Sequence, residues 1–461
     1  MGDLRFPDGF AWGTATASYQ IEGAVHEGGR KPSIWDSFAH TPGAIADGTT
    51  GDVADDHYHR YAEDVAIMAD LGVTHYRFSF ARPRLQPDGR GRLNPDGADF
   101  YSRLIDTLLG HGIQPWVTLY HWDLPQVLED AGGWPLRDTA ERFAEYAALV
   151  HDRFHDRFTA WTTLNEPWCS AFLGYASGHH APGRTEPAAA LAAAHHLMLG
   201  HGLAVQAMRT QDAGSTLGIT LNLYPVDPAS DTPADADGAR RVDAVNNRIF
   251  LDPLLRGRYP DDLRQDVAAV SDLAFIRDGD EKTINAPLDV LGVNYYTRHV
   301  VRASGATEPT SSRASAWVGS ADVESVSRGL PTTEMGWEID PQGLYDVLAR
   351  VHRDYGPIPL YITENGAAFA DRPGPDGTVA DPQRIEYLDS HFRTAHRAIA
   401  DGIDLRGYFV WTLMDNFEWA WGFTKRFGLV YVDYETQRRI RKDSAHWFAA
   451  LTRGNRLTGS S

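Results

Sequence analysis

The sequence predicts an α/β protein of eight strand–helix repeats, which suits a single closed (β/α)8 TIM barrel and, by rhythm alone, also a doubly wound open sheet. Three observations predict it. β-branched or aromatic runs recur every several dozen residues, most intervals between them hold apolar residues at helical spacing, and no composition break or charge block marks a second domain.

In chain order, "FAWGTATASY" is the first strand-like run, followed by a helical stripe of Tyr61, Val65 and Met68. "THYRFSF" is the second, followed by Phe100, Leu104 and Leu108 at the same spacing. "QPWVTLYH", "FTAWTTLNE", "LGITLNLYP" and "LDVLGVNYY" are the third to sixth. A long Ser-, Thr- and Gly-rich loop from about Arg302 to Glu338 then precedes a helix carrying Leu344, Leu348 and Val351. "IPLYITENG" and "LRGYFVWTL" complete the eight. Repeated strand then helix means parallel strands, and in a barrel the elaborated loops lie at the C-terminal face of the strands. The domain expected is 1–452, with 453–461 as a disordered tail.

Composition excludes several function classes. A formal charge of −19 repels phosphate backbones and anionic bilayers, so no nucleic acid or membrane partner is expected. No run is read as approaching the ~20 apolar residues of a membrane span, and the opening "MGDLRFPDGFAWG" is not a signal peptide. The single cysteine, Cys169, excludes an intrachain disulfide and fits a reducing, cytoplasmic setting. An aromatic content of 11% suits flat ligands that stack. No cofactor or metal site is expected, since the histidines of "DHYHR", "GHH" and "AHH" lack companion ligands and read as structural. Homo-oligomerisation is compatible with all of this.

The chemistry is expected at two strand ends. In a barrel, Glu166 of "TTLNEPW" would end the fourth strand and Glu364 of "YITENG" the seventh, facing one mouth. Pro167 biases Glu166 towards extended backbone, and Asn365-Gly366 supplies a turn after Glu364. Two carboxylic acids in one cavity are what glycosidic cleavage needs, one to protonate the departing oxygen and one to meet the oxocarbenium-like carbon, ~5–5.5 Å apart for double displacement. Structural alternatives stand beside this: Asn165 as a helix N-cap, and "TENG" as a surface turn. Arg77, within the apolar second strand, should point inward and needs an anionic partner; Tyr296 could donate to the same carboxylate or fill core space.

With these residues in hand, the chain resembles glycoside hydrolase family 1, the β-glucosidase family. The similarity runs from "FPDGFAWGTATASYQIEGA" through "YHWDLPQ", "TLNEPW", "GVNYY", "MGWEI" and "YITENGAA" to "GYFVWTLMDNFEWAWGFTKRFGLVYVDY", nearly all of residues 5 to 450. The resemblance implies a retaining β-glycosidase on a (β/α)8 barrel, with Glu364 as nucleophile and Glu166 as general acid/base, supported by Arg77, Asn294 and Tyr296. It implies that a β-glycoside is held by Gln20, His121, Trp122, Asn165, Trp411, Glu418, Trp419 and Phe427. Asn165 would lie nearest the 2-hydroxyl, Gln20 and Glu418 would share the 4-position, and Trp411 would floor the ring. Trp168, Cys169 and Trp337 would flank the leaving group.

Arg82 departs from the pattern, standing where tryptophan is expected. A 6-phospho-β-glycosidase is the alternative; only Lys425 matches its phosphate-binding loop, and a carboxylate at Glu418 would repel a phosphate. Glu166 argues against the thioglucosidase branch, which has glutamine there. A non-catalytic sugar-binding barrel would lack one of the two glutamates, and a metal-dependent barrel enzyme would need a ligand cluster the sequence does not supply.

Overall fold

The computed structural model describes residues 3–304 and 314–458. Eight parallel strands form a closed barrel: β1 Ala11–Ala15, β2 His75–Ser79, β3 Gln114–Tyr120, β4 Ala160–Asn165, β5 Thr216–Asn222, β6 Val290–Asn294, β7 Leu360–Asn365 and β8 Leu405–Trp411. Each predicted run supplies one of them. The open-sheet alternative falls away because β8 pairs with β1, Tyr408 opposite Trp12 and Trp411 opposite Ala15.

The main outer helices are α1 His57–Leu71, α2 Pro95–Gly110, α3 Arg137–Phe154, α4 Pro187–Gln211, α5 Ile249–Arg256, α6 Pro341–Tyr355, α7 Pro382–Ala400 and α8 Asp443–Gly454. Their apolar stripes face the barrel, as in α2, which buries Phe100, Leu104 and Leu108, and in α6, which buries Leu344, Leu348 and Val351. Asp340 starts α6 by accepting from the Gly343 N–H, with Pro341 in the first turn where no N–H is needed. α4 corrects the expectation that no segment reaches membrane-span length. Its 25 residues are long and apolar enough by that measure, but 83% of the apolar window is buried, as in a core helix packed on α3.

The barrel interior is plugged on its N-terminal side. The Trp116 ring of β3 lies 4.6 Å from Tyr361 of β7 and 5.5 Å from Phe409 of β8, contacts made across the barrel. Gly13 of β1 makes room for this plug, since a Cβ there would stand 2.4 Å from the Phe409 ring. The free space therefore lies at the opposite, C-terminal end.

Three expectations need correction here. The long segment after β6 starts in a strand, His299–Ala303, which joins Val226–Pro228 and Val323–Ser325 in a small sheet; its residues 305–313 lie outside the described residues. The expected disordered tail is ordered where described. Arg456–Leu457 pairs antiparallel with Leu4–Arg5, Leu457 is buried, and the Asn455 side chain accepts from Trp12 Nε1 at 2.9 Å; residues 459–461 lie outside the described residues. Asn365 is a brace and not a turn residue: its side chain donates to the Tyr295 carbonyl at 2.7 Å and accepts from the Tyr408 hydroxyl, inside the protein. Arg82, at the expected tryptophan, is fully buried, bonds the Gln86 side chain and the Gly89 and Arg142 carbonyls, and lies 5.0 Å over the Tyr146 ring. No carboxylate among the described residues bonds it, and burial pushes its pKa down to about 10.

β7 and β8 approach so closely beyond Glu364 that a Cβ at Gly366 would lie 1.7 Å from the Trp411 carbonyl oxygen. Gly366→Ala should therefore destabilise the protein by at least ~1–3 kcal/mol in denaturant unfolding. Wild-type stability in that variant would contradict the approach of the two strands.

Candidate active site

A cavity of about 420 Å³ opens at the C-terminal ends of the strands, and both Glu166 and Glu364 reach it. Strict alternation would not have put Glu364 there. Tyr361 and Thr363 of β7 point inward, the one against Trp116 and the other bonded to Asn294, so the next residue should face the helices. The β6–β7 register shifts between Ile362 and Glu364, and this irregularity turns the carboxylate inward. β4 behaves alike. Thr162 accepts from Trp116 inside and Thr163 bonds His201 of α4 outside, yet Asn165 faces inward after a shift between Thr162 and Asn165.

Glu166 differs from the expectation of extended backbone. Its φ is +46°, left-handed, because its N–H completes the sheet with the Thr220 carbonyl while its own carbonyl already accepts from Cys169 N. The chain turns there from strand into helix, and Cys169–Ala176 continues as a π-helix. Asn165 is consequently not an N-cap. Among the described residues nine non-glycines have positive φ, and three of them, Trp122, Glu166 and Trp419, line this cavity.

The polar contacts have one direction. Arg77, fully buried and able only to donate, gives Nη1 to Glu364 Oε1 at 2.6 Å and Nη2 to Asn165 Oδ1 at 2.6 Å. With Asn165 Oδ1 fixed as acceptor, Asn294 Nδ2 beside it at 3.1 Å must be the donor, and the same Nδ2 reaches Glu166 Oε1 at 2.6 Å. Asn165 Nδ2 faces His121 Nε2 at 3.0 Å, so His121 carries its proton on Nδ1. Tyr296 donates to Glu364 Oε2 at 2.8 Å, and the Cys169 thiol to Glu166 Oε2 at 3.1 Å.

Three carboxyl groups thus border the site, and the one guanidinium pairs with Glu364. Burial raises the pKa of Glu364, opposed by the charge and bond of Arg77. Burial and the Glu364 charge raise that of Glu166, whose strongest donors are neutral. Glu418 is pushed up to about 8 by burial, then by Glu364 and Glu166. Of Glu166 and Glu364, Glu364 has the cation and surrenders its proton first. Burial and Arg77 hold His121 well below the usual histidine range, so it stays neutral.

The other predicted residues fall into place around this pair. His121, Trp122, Trp411, Glu418 and Trp419 line one part of the cavity, with Trp419 4.5 Å from Trp122. Tyr296, Trp337, Phe427, Trp168 and Cys169 also line it, Trp337 lying 5.2 Å from Tyr296. Gln20 is fully buried and donates to Asn416 Oδ1 and the Phe417 carbonyl. Gln20 Oε1, His121 Nδ1, Glu418 Oε2 and Trp168 Nε1 are buried atoms with no hydrogen-bond partner among the described residues, polar groups that suit a hydroxyl-rich ligand.

Sequence reasoning missed Leu173, Tyr224, Thr297, His299, Trp317, Met335 and Trp421, all in the wall. Tyr224 had a signal: it follows a strand-ending asparagine, Asn222, by two residues, as Tyr296 follows Asn294. His179 and His180 of "GHH" line the cavity too, beyond their purely structural reading, and His180 lies 5.3 Å from both Trp35 and Trp122.

Comparison with known proteins agrees with this geometry. The glycosyl hydrolase family 1 profile matches residues 3–457. A thermostable β-glucosidase B from Thermobispora bispora is 54% identical, covering 99% of this chain and 92% of the relative. A bifunctional β-D-glucosidase/β-D-fucosidase from Bifidobacterium breve is 51% identical over 96% and 97%. The crystal structure of a psychrophilic β-glucosidase from Micrococcus antarcticus superposes with a TM-score of 0.95 at 51% identity, covering 99% of this chain and all of that one.

Removing the cation tests the electrostatic reading. Arg77→Met strands Glu364 in the interior and should cost ~3–5 kcal/mol of stability at neutral pH. The sign follows from linkage: without Arg77 the folded-state pKa of Glu364 rises further above its unfolded value, so the deficit fades as acid protonates it. Unfolding free energies across pH check this, and a deficit that grows in acid would contradict it.

Proposed function

Starting from the premise that the chain belongs to glycosyl hydrolase family 1 and is a retaining β-glucosidase, we propose that Glu364 is its nucleophile and Glu166 its general acid/base. The observation that carries this assignment is the unequal treatment of the two carboxyls, one on a guanidinium and a phenol, the other on neutral donors only.

In the first step Glu364 attacks the anomeric carbon while Glu166 gives its proton to the glycosidic oxygen, so the leaving group departs neutral and a glycosyl ester forms. Esterification removes the Glu364 charge, which after burial itself most opposes ionisation of Glu166. Glu166 is now the better base. It takes a proton from water as that water attacks the anomeric carbon and frees Glu364. Arg77 and Tyr296 stabilise the departing carboxylate, and Asn294 orients Glu166.

For the sugar, His121 Nδ1–H donates to a hydroxyl, Gln20 and Glu418 meet the 4-position, Asn165 lies near the 2-hydroxyl, and Trp411 stacks on the apolar face. Trp337, with Trp168, borders the leaving group. Glucosides are the primary substrates, and the Bifidobacterium relative suggests fucosides as well. A phosphorylated sugar is disfavoured because Lys425 already donates to the Glu334 carbonyl at 2.7 Å and Glu418 occupies the cavity. The free thiol of Cys169 fits a cytoplasmic setting.

Glu364→Gly should abolish hydrolysis while accepting an α-glycosyl fluoride for synthesis, and normal turnover by that variant would refute the nucleophile. Glu166→Ala should lose ~10²–10⁴-fold on substrates with poor leaving groups, spare those with good ones, and yield β-azide product when azide is added. Proton NMR of the first-formed sugar should show the β anomer; initial α product would mean inversion.

A further inference from the structure

The two oxygens of Glu166 meet donors of different character. Oε1 accepts from Asn294 Nδ2, whose amide cannot turn over because Arg77 fixes Asn165 and Asn165 fixes Asn294. Oε1 is therefore held as an acceptor. Among the described residues Oε2 meets only the Cys169 thiol, a weak donor, three residues along at the start of the π-helix. The sulfur in turn accepts from Asn222 Nδ2 at 3.7 Å, which leaves its hydrogen for Glu166.

From this asymmetry we propose that Cys169 is a positioning residue for the acid/base, making Oε2 the oxygen that carries, lends and recovers the catalytic proton. The proposal rests on the reading of Glu166 given above and replaces the leaving-group role that resemblance implied for Cys169. A thiol suits the task. A strong donor would hold Oε2 as carboxylate and oppose its loading, whereas no donor would leave Oε2 unsupported once the proton has gone, with Asn294 serving Oε1 alone.

In the first step the O–H bond on Oε2 breaks as the glycosidic C–O bond breaks, the proton passes to the leaving oxygen, and the S–H turns to support the new carboxylate. In the second step a proton from water returns to Oε2. The S–H bond stays intact throughout. Burial and the adjacent Glu166 charge keep the thiol protonated, as a donor must be. The other groups acting on Glu166 come from other strands: Glu364 on β7, Arg77 on β2, Tyr296 beyond β6, Tyr224 beyond β5 and Glu418 beyond β8. All are unchanged in a Cys169 variant, so the difference isolates the thiol.

The experiment is the pH profile of kcat/KM on an alkyl β-glucoside, whose departure requires the acid. In Cys169→Ala the alkaline limb should move up by about half to one pH unit, with the acidic limb unmoved, and Cys169→Ser should bring it back towards wild type. An unmoved alkaline limb, or two limbs shifting together, overturns the proposal. The wild-type protein supplies a second readout independent of folding. It has one cysteine, so its infrared S–H stretching band should titrate along the alkaline limb and cease to titrate in Glu166→Gln. A band indifferent to pH also overturns the proposal. If Glu166→Gln keeps the alkaline limb, the acid/base assignment itself has failed, an outcome distinct from failure of the Cys169 role.

Discussion

The ion pair between Arg77 and Glu364 is the constraint on which the rest of the site depends. A guanidinium with no exposed surface must find acceptors, and it finds three, a carboxylate and a backbone carbonyl on β7 and an amide oxygen on β4. Because Arg77 can only donate, every later bond inherits a direction. Asn165 presents oxygen to it and nitrogen to His121; Asn294 presents nitrogen to Glu166; Thr363 donates to the Asn294 oxygen at 2.7 Å. A single buried charge thus sets the tautomer of a histidine and the orientation of two amides.

That direction also explains how two chemically identical side chains come to differ in their hold on a proton. Both glutamates are buried in one cavity, where an unpaired charge costs several kcal/mol. The cation stands beside one of them, and the charge of that one discourages ionisation of the other. The difference follows from neighbours and not from the acids themselves.

Much of this was legible in the sequence, because periodicity reports burial directly. The eight strand-like runs are the eight staves, and Phe100, Leu104, Leu108 and Leu344, Leu348, Val351 are the buried faces of α2 and α6. What periodicity could not carry lies where the pattern breaks. Asn165 and Glu364 face inward only through register shifts, and a one-residue shift reverses facing without altering composition. The left-handed Glu166 and the inward brace Asn365 likewise depend on bonds to Thr220, Tyr295 and Tyr408, residues remote in the chain. His180 read as structural for the same reason: its neighbours Trp35 and Trp122 arrive from other loops.

The aromatic plug of Trp116, Tyr361 and Phe409 makes the barrel a blind well. Traffic through it must be last in, first out. The aglycone has to vacate the passage before hydrolytic water can follow, and the liberated monosaccharide retraces the same route past whatever waits at the rim. Chain-end trimming, one unit per visit, is the natural rhythm of such a shape, and threading a polymer through it is sterically barred.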